Sequence, residues 1–209
     1  MPENKLLIKK AAFATSATKK AADSANKEGF PEIAVAGKSN VGKSSLINYL
    51  CNHSKLAYVS KQPGKTRLIN YFLINDQFYL VDLPGYGFAR VSKSEKSSWG
   101  SMMDDYFSSA DKLAALIVLM DIRHKPTQED IEMVKYAKYY GIPFAVVATK
   151  ADKIAKSKRI YSIRELKKHI QVETGTANDF SVLHVSALEK RGKEDILGYI
   201  QKQLEEKRG

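Results

Sequence analysis

The chain has 209 residues, 44% of them apolar, which suits one domain of moderate size with a full core. A single cysteine, Cys51, excludes an intramolecular disulfide and fits a reducing compartment, and the longest apolar run, LAALIVLM at 113–120, is far too short to span a bilayer. The charge of +11, with a pI near 9.5, favours a polyanionic partner (RNA, DNA or an anionic membrane surface) over a merely solubilising surface.

Residues 1–31 carry six lysines and no long apolar stretch, so they do not read as a signal peptide. They are expected to form a loosely structured N-terminal extension with about one turn of helix, ahead of a single domain over 32–206. EIAVAG at 32–37 is a short apolar run ending at a glycine, and SSLINYLC at 44–51 then shows helical spacing. NYFLIN at 70–75 and QFYLVDL at 77–83 flank Asn75-Asp76 and predict a hairpin. LAALIVLMD at 113–121, PFAVVATK at 143–150 and FSVLHVSA at 180–187 read as fully buried strands. Helices are predicted near 94–110, 126–140, 157–171 and 193–206, the second of these bounded by Pro126 at its start and by Gly141 and Pro143 after its end. The alternation predicts an α/β fold: about six strands, mostly parallel, one antiparallel edge strand, and helices on both faces.

GKSNVGKS at 37–44 follows the first of these strands and opens a helix, the context that the pattern G-x-x-x-x-G-K-[ST] requires. Its backbone N–H groups and the helix N-terminus suit phosphate oxygens, Lys43 the β- and γ-phosphates, and the Ser44 hydroxyl Mg²⁺. DLPG at 82–85 ends a later strand, placing Asp82 to hold Mg²⁺ and the Gly85 N–H to meet a γ-phosphate. Between them, KQPGKTRLIN at 61–70 fits a switch segment in which Thr66 gives its hydroxyl to Mg²⁺ and its N–H to the γ-phosphate, with Ser60 the alternative. TKAD at 149–152 selects the base: the Asp152 carboxylate accepts two hydrogen bonds from the guanine edge, a pair adenine does not offer, while the Lys150 stem covers the ring. SAL at 186–188 offers backbone N–H groups to the guanine oxygen. The expected phosphate set is thus Gly37, Lys38, Ser39, Asn40, Val41, Gly42, Lys43, Ser44 and Ser45, joined by Gly64, Lys65, Thr66 and Gly85. The expected guanine set is Thr149, Lys150, Asp152, Ser186 and Ala187, and the metal set is Ser44, Thr66 and Asp82.

These elements, in this order, resemble a translation-factor-type P-loop GTPase over residues 32–206. More narrowly, PEIAVAGKSNVGKSSLIN, PGKTRLIN, VDLPGYGFARV and TKAD resemble the bacterial EngB family. The resemblance implies a cytoplasmic protein, expected to be a monomer, that binds GTP and GDP and assists assembly of the large ribosomal subunit. The family's naming also links it to cell division and septation. Thr149 stands where most of the superfamily has an asparagine that ties the loops together, which is expected to weaken affinity more than to change the base. Asn40 stands where potassium-using GTPases with an NVGKS loop place a metal-binding asparagine, so either potassium binds there or Asn40 only shapes the loop.

Position 86 raises a separate question. Many nucleotide switches have a water-orienting glutamine after the DxxG glycine, but here the residue is Tyr86. A phenol lacks the amide, so no catalytic side chain is assigned and slow GTP hydrolysis is expected. Trp99 reads as packing, or as a coupling residue in a helix tied to the second switch. No metal spacing joins His53, His124, His169 and His184, and His184 is expected to be a structural residue of a buried strand.

Eight basic residues fall between 150 and 168, opposed by Asp152 and Glu165 alone, which suits either a solvated helix face or a polyanion site. Basic residues on both switch loops are harder to read as solvation, and Lys65, Arg67, Arg90 and Lys93 are the candidate RNA contacts. Two functions stand: a GTPase switch acting on ribosomal RNA or precursor particles, and a small regulatory GTPase acting on a protein or an anionic membrane. A P-loop kinase or ATPase is disfavoured by TKAD.

Overall fold

The structure is a computed structural model that describes residues 5–17, 25–26, 28–57, 68–87, 93–109, 111–177 and 180–208, with the side chains of 93–98 outside it. The switch positions Ser60, Gly64, Lys65, Thr66, Arg67 and Arg90 lie outside the described residues, as does the side chain of Lys93.

Seven strands form one sheet: β1 (Ala11–Ala17), β2 (Glu32–Gly37), β3 (Ile69–Ile74), β4 (Phe78–Asp82), β5 (Leu113–Asp121), β6 (Phe144–Thr149) and β7 (Ser181–His184). Their spatial order is β1-β3-β4-β2-β5-β6-β7. The helices are α1 (Lys43–Leu50), α2 (Lys93–Ser108), α3 (Gln128–Tyr139), α4 (Lys156–Thr174) and α5 (Lys193–Arg208). The α/β architecture and the mostly parallel sheet are as the sequence predicts.

The sheet divides the core in two. On one face Leu46, Ile47 and Leu50 of α1 and Ile196, Ile200 and Leu204 of α5 pack together. On the other, Met103, Tyr106 and Phe107 of α2 meet Ile131 and Val134 of α3 and Leu166 and Ile170 of α4. Helical spacing of three and four residues puts each set on one stripe, and each fully buried Leu or Ile contributes about 1.5–3 kcal/mol. β5 runs through the centre and is buried on both faces along Leu113–Met120, which is why it reads as an unbroken apolar run.

Two edges differ from expectation. Residues 11–17, expected within a loose extension, form β1, which pairs antiparallel with β3 from Ala11↔Ile74 to Ala17↔Ile69. The antiparallel strand β3 is therefore an inner strand, and the sheet gains an edge. The hairpin turn carries this addition. Asn75 and Asp76 both adopt positive φ (51° and 54°), as the tightest hairpin turns require. Asn75 Oδ1 accepts from the N–H groups of Lys9 and Lys10, and its Nδ2 donates to Leu7 O. A polar side chain in the turn thus leads the preceding segment into register, a contact no apolar periodicity announces. At the other edge, β7 is four residues long and half-exposed rather than fully buried, and His184 shares that exposure. Among the described residues it pairs with β6 alone, so one side of it is left without a second strand.

Candidate functional site

The carboxyl ends of β2, β4, β5 and β6 lie side by side, where open α/β sheets bind ligands. Each supplies a residue there: Gly37, Asp82, Asp121 and Thr149.

The loop from Gly37 to Gly42 alternates backbone hands. Asn40 has φ 64° and Gly42, the N-cap of α1, has φ 109°, a conformation a side chain rarely tolerates. Such alternation turns successive N–H groups into one concavity. α1 has no side-chain cap and no acidic residue in its first turn, so its positive end suits an anion. Lys43, at the first position of α1, donates to the Asp82 carboxylate at the end of β4, and both side chains are largely buried. The structure thus brings Lys43, at the end of the loop, against Asp82.

Gly85 crosses directly over the loop, where a Cβ would come 3.1 Å from Ser39 Oγ. Ser39 N–H donates to Tyr86 O at 2.9 Å, stitching the second switch to the phosphate loop. The Tyr86 side chain then turns inward, 3% exposed, and donates its hydroxyl to Asp130 Oδ1 at 2.8 Å. Asp130 is the third residue of α3, and its Oδ2 accepts from the N–H and hydroxyl of the N-cap Thr127. Burial, then the Asp130 carboxylate, push the phenol well above its usual range. Trp99 of α2 packs edge-on against Tyr86 at 5.6 Å and donates from Nε1 to Pro84 O at 3.4 Å. Tyr86 is therefore an anchor between the switch and α3, and the two readings of Trp99 coincide: it packs, and it packs on the switch.

The base end is built on Thr149, Lys150 and Asp152. The Thr149 hydroxyl lies 2.8 Å from Val41 O in the phosphate loop and 3.2 Å from Met120 O in β5, sharing its one hydrogen between them. Threonine thus makes the loop tie itself. Lys150, in a left-handed conformation, donates to Asn40 O at 2.9 Å and pairs with Asp121 at 3.0 Å. Asp121 also receives the Arg123 guanidinium through Nε at 2.9 Å and Nη2 at 2.7 Å. Burial pushes the Asp121 carboxyl up, but Arg123 and Lys150 outweigh it and hold it well below the usual carboxylate range. Asp121 and Arg123 were not singled out from the sequence; the available signal was an acid closing a buried strand.

Asp152 Oδ1 accepts the Ser186 hydroxyl at 2.8 Å. Burial opposes its ionisation, but Ser186, its own backbone N–H and Lys153 prevail, so its pKa is lowered and the carboxylate is ready for donors. The Ser186 N–H donates to Arg191 O, so it is not the donor expected for a guanine oxygen. Ser186 instead holds Asp152 through its hydroxyl.

A family model described as "50S ribosome-binding GTPase" matches residues 32–150. One described as "Elongation factor Tu GTP binding domain" matches residues 102–206. A probable GTP-binding protein EngB of Clostridium kluyveri is 51% identical over 170 residues, covering 81% of this chain and 84% of the relative. Its namesake in Bacillus subtilis is 46% identical over 179 residues, covering 84% and 88%. Among solved structures, a probable GTP-binding protein engB superposes with TM-score 0.67 at 23% identity, over 84% of this chain and 99% of that one. Era in complex with MgGDPNP and nucleotides 1506–1542 of 16S ribosomal RNA superposes with TM-score 0.62 at 24% identity, over 83% and 56%. These last two are likenesses of fold. The extent of the sequence matches settles the family: the chain belongs to EngB, and the reaction it carries is the hydrolysis of GTP.

Proposed function

We propose that the chain is a slow GTP-driven switch that assists assembly of the large ribosomal subunit. The observation that carries the switch is the stitch between Ser39 and Tyr86: the loop that would read the γ-phosphate is joined to the loop that binds it. Asp152, held by Ser186, reads the guanine edge, with Lys150 beside it and Ala187 N–H facing the guanine oxygen. Asp152→Asn is expected to lose guanine affinity and gain xanthine affinity, because an amide donates where xanthine offers a carbonyl.

Lys43 and the α1 N-terminus meet the phosphates. Mg²⁺ fits the oxygen set here, the Ser44 hydroxyl with the buried Asp82 carboxylate, completed in this proposal by Thr66. When bound, it would neutralise charge on the β- and γ-phosphate oxygens. With its hydroxyl committed to Asp130, Tyr86 orients no water, in keeping with a slow intrinsic rate. A potassium ion at Asn40, whose side chain is exposed, would add positive charge there. Equal turnover in potassium and in sodium, with Asn40→Ala alongside, would remove that part.

The ribosomal reading is supported by the match to the family model described as a 50S ribosome-binding GTPase and by the charge of +11. The link to septation in the family's naming belongs to the same proposal and has no residue of its own in the site. Lys65, Arg67, Arg90 and Lys93 would face RNA when Thr66 and Gly85 meet the γ-phosphate. Co-sedimentation with large subunits across a salt series is the test. Binding should be tighter with a non-hydrolysable GTP analogue than with GDP, and Arg90→Glu with Lys93→Glu should weaken it and flatten its salt dependence. Equal binding with either nucleotide would sink the switch, and no binding to ribosomal particles would sink the ribosomal role.

A further inference from the structure

α4 carries charge that its own stability does not call for. It has six bases against two acids, and its first turn holds Lys156, Lys158 and Arg159 with no acidic residue. Positive charge at a helix N-terminus opposes the macrodipole. α3 and α5 do the reverse, with Glu129 and Asp130, and Glu194 and Asp195, in their first turns. Of the α4 bases, Arg159 is buried and pairs with Glu189 at 3.1 Å. Lys156, Lys158, Arg164 and Lys168 are exposed and make no ion pair among the described residues.

In the middle of these cations stands an aromatic ring that the described residues leave largely uncovered. Tyr161 is 67% exposed, and Ile160 beside it is 64% exposed. Helical spacing puts Lys158 one turn before Tyr161 and Arg164 one turn after it, with Lys168 a further turn on. The strip from 158 to 168 is about 15 Å long at 1.5 Å per residue. It lies opposite the stripe of Leu166 and Ile170 that holds α4 to the sheet, so it is rigidly presented. The exposed Glu165 is the acid on it.

We propose that this strip is a binding site for single-stranded RNA, in which Lys158, Arg164 and Lys168 meet phosphates and Tyr161 stacks on a base. Exposed aromatics among cations are the composition of single-strand platforms, where a ring adds base stacking to phosphate attraction. A membrane surface would ask for a broad apolar face, and α4 exposes only Ile160 and Tyr161 side by side, with Val172 three turns further on. The strip shares no residue with the phosphate loop or with either switch segment of the sequence, so its own contribution to affinity does not follow the nucleotide. It deepens the ribosomal reading by supplying a constant RNA anchor beside the switched contacts.

The test uses the full chain and a fluorescein-labelled oligouridylate of about twelve nucleotides, followed by anisotropy with GDP and with a non-hydrolysable GTP analogue. The fold-loss caused by altering the strip should be the same in both nucleotide states, whatever the switched contacts add to wild-type binding. Tyr161→Ala should weaken binding roughly 5- to 150-fold, the range for losing one stacked base, while Tyr161→Phe keeps it. Arg164→Glu with Lys168→Glu should lower the salt slope by about 1.4, or 0.7 per lost phosphate contact. GTP affinity should be unchanged in all three. RNA binding by Tyr161→Ala at wild-type strength would overturn the stacking site. So would inorganic polyphosphate competing as well as RNA, or wild-type binding to phosphatidylglycerol vesicles that RNA does not displace. Naked RNA separates this from the ribosomal role: subunit binding that survives these variants leaves that role standing and removes the anchor.

Discussion

Replacing Tyr86 by phenylalanine removes one hydroxyl and keeps the ring that packs on Trp99. The lost bond runs to a carboxylate in a buried setting, where hydrogen bonds to charged groups are worth about 1.5–3 kcal/mol. Asp130 Oδ1 loses that donor, while Oδ2 keeps the Thr127 N–H and hydroxyl, so the α3 cap survives and the loss stays local. For a chain of this size each kcal/mol moves the melting point by about 2–4 °C, so Tyr86→Phe should melt roughly 3–12 °C lower. Alanine is the poorer probe, since deleting a buried aromatic costs about 3–5 kcal/mol through lost burial and the cavity together. Thermal and urea unfolding should be measured for Tyr86→Phe, Asp130→Asn and the double variant, with a coupling of about 0.5–3 kcal/mol expected between neighbours that share a bond. Single-turnover GTP hydrolysis by Tyr86→Phe should stay at the wild-type rate, because the hydroxyl points away from the phosphate loop. Wild-type melting with no coupling would refute the anchor, and a collapsed hydrolysis rate would show that the phenol serves the chemistry.

Thr149→Val keeps the shape and deletes the tie to Val41, so GDP affinity by isothermal titration should fall about 2- to 13-fold, corresponding to one hydrogen bond of roughly 0.5–1.5 kcal/mol. Removing residues 1–17 strips β1 from the sheet and should lower stability and promote self-association through the bared β3 edge, read by light scattering. Tyr86 and Tyr106 are both raised well above the usual phenol range, first by burial and then by Asp130 and Glu32, whereas in the unfolded chain they titrate near pH 10. Folding should therefore be insensitive to these groups below about pH 10 and weaken above it by about 1.4 kcal/mol per pH unit for each phenol, seen in urea midpoints. Burial pushes the Cys51 thiol up to about 12, partly offset by Lys193, so alkylation at pH 8 should be slow until the chain unfolds.

The features legible from sequence were those whose cause is local. The phosphate loop needs its glycines within a few residues of Lys43, and β5 announces itself because both faces are covered. What was hidden depends on distant partners. β1 is, apart from Phe13, a run of alanine and small polar residues whose strand state comes from β3 and from Asn75. Tyr86 reads as a misplaced catalytic residue until Asp130, forty-four positions on, is brought beneath it. Ser186 was expected to offer its backbone and offers its hydroxyl, because Arg191 takes the N–H.

The ring that leans on Tyr86 gives the chain an optical reporter of its own. Trp99 is the single tryptophan, and its indole sits against the switch with Nε1 directed at Pro84 O. Indole emission depends on hydrogen bonding at that nitrogen and on nearby rings, so a rearrangement of residues 84–86 would be recorded in the natural protein without a label. Mixing with nucleotide in a stopped-flow fluorimeter then follows the second switch in time, and the Tyr86→Phe variant supplies the same emitter beside a loosened loop.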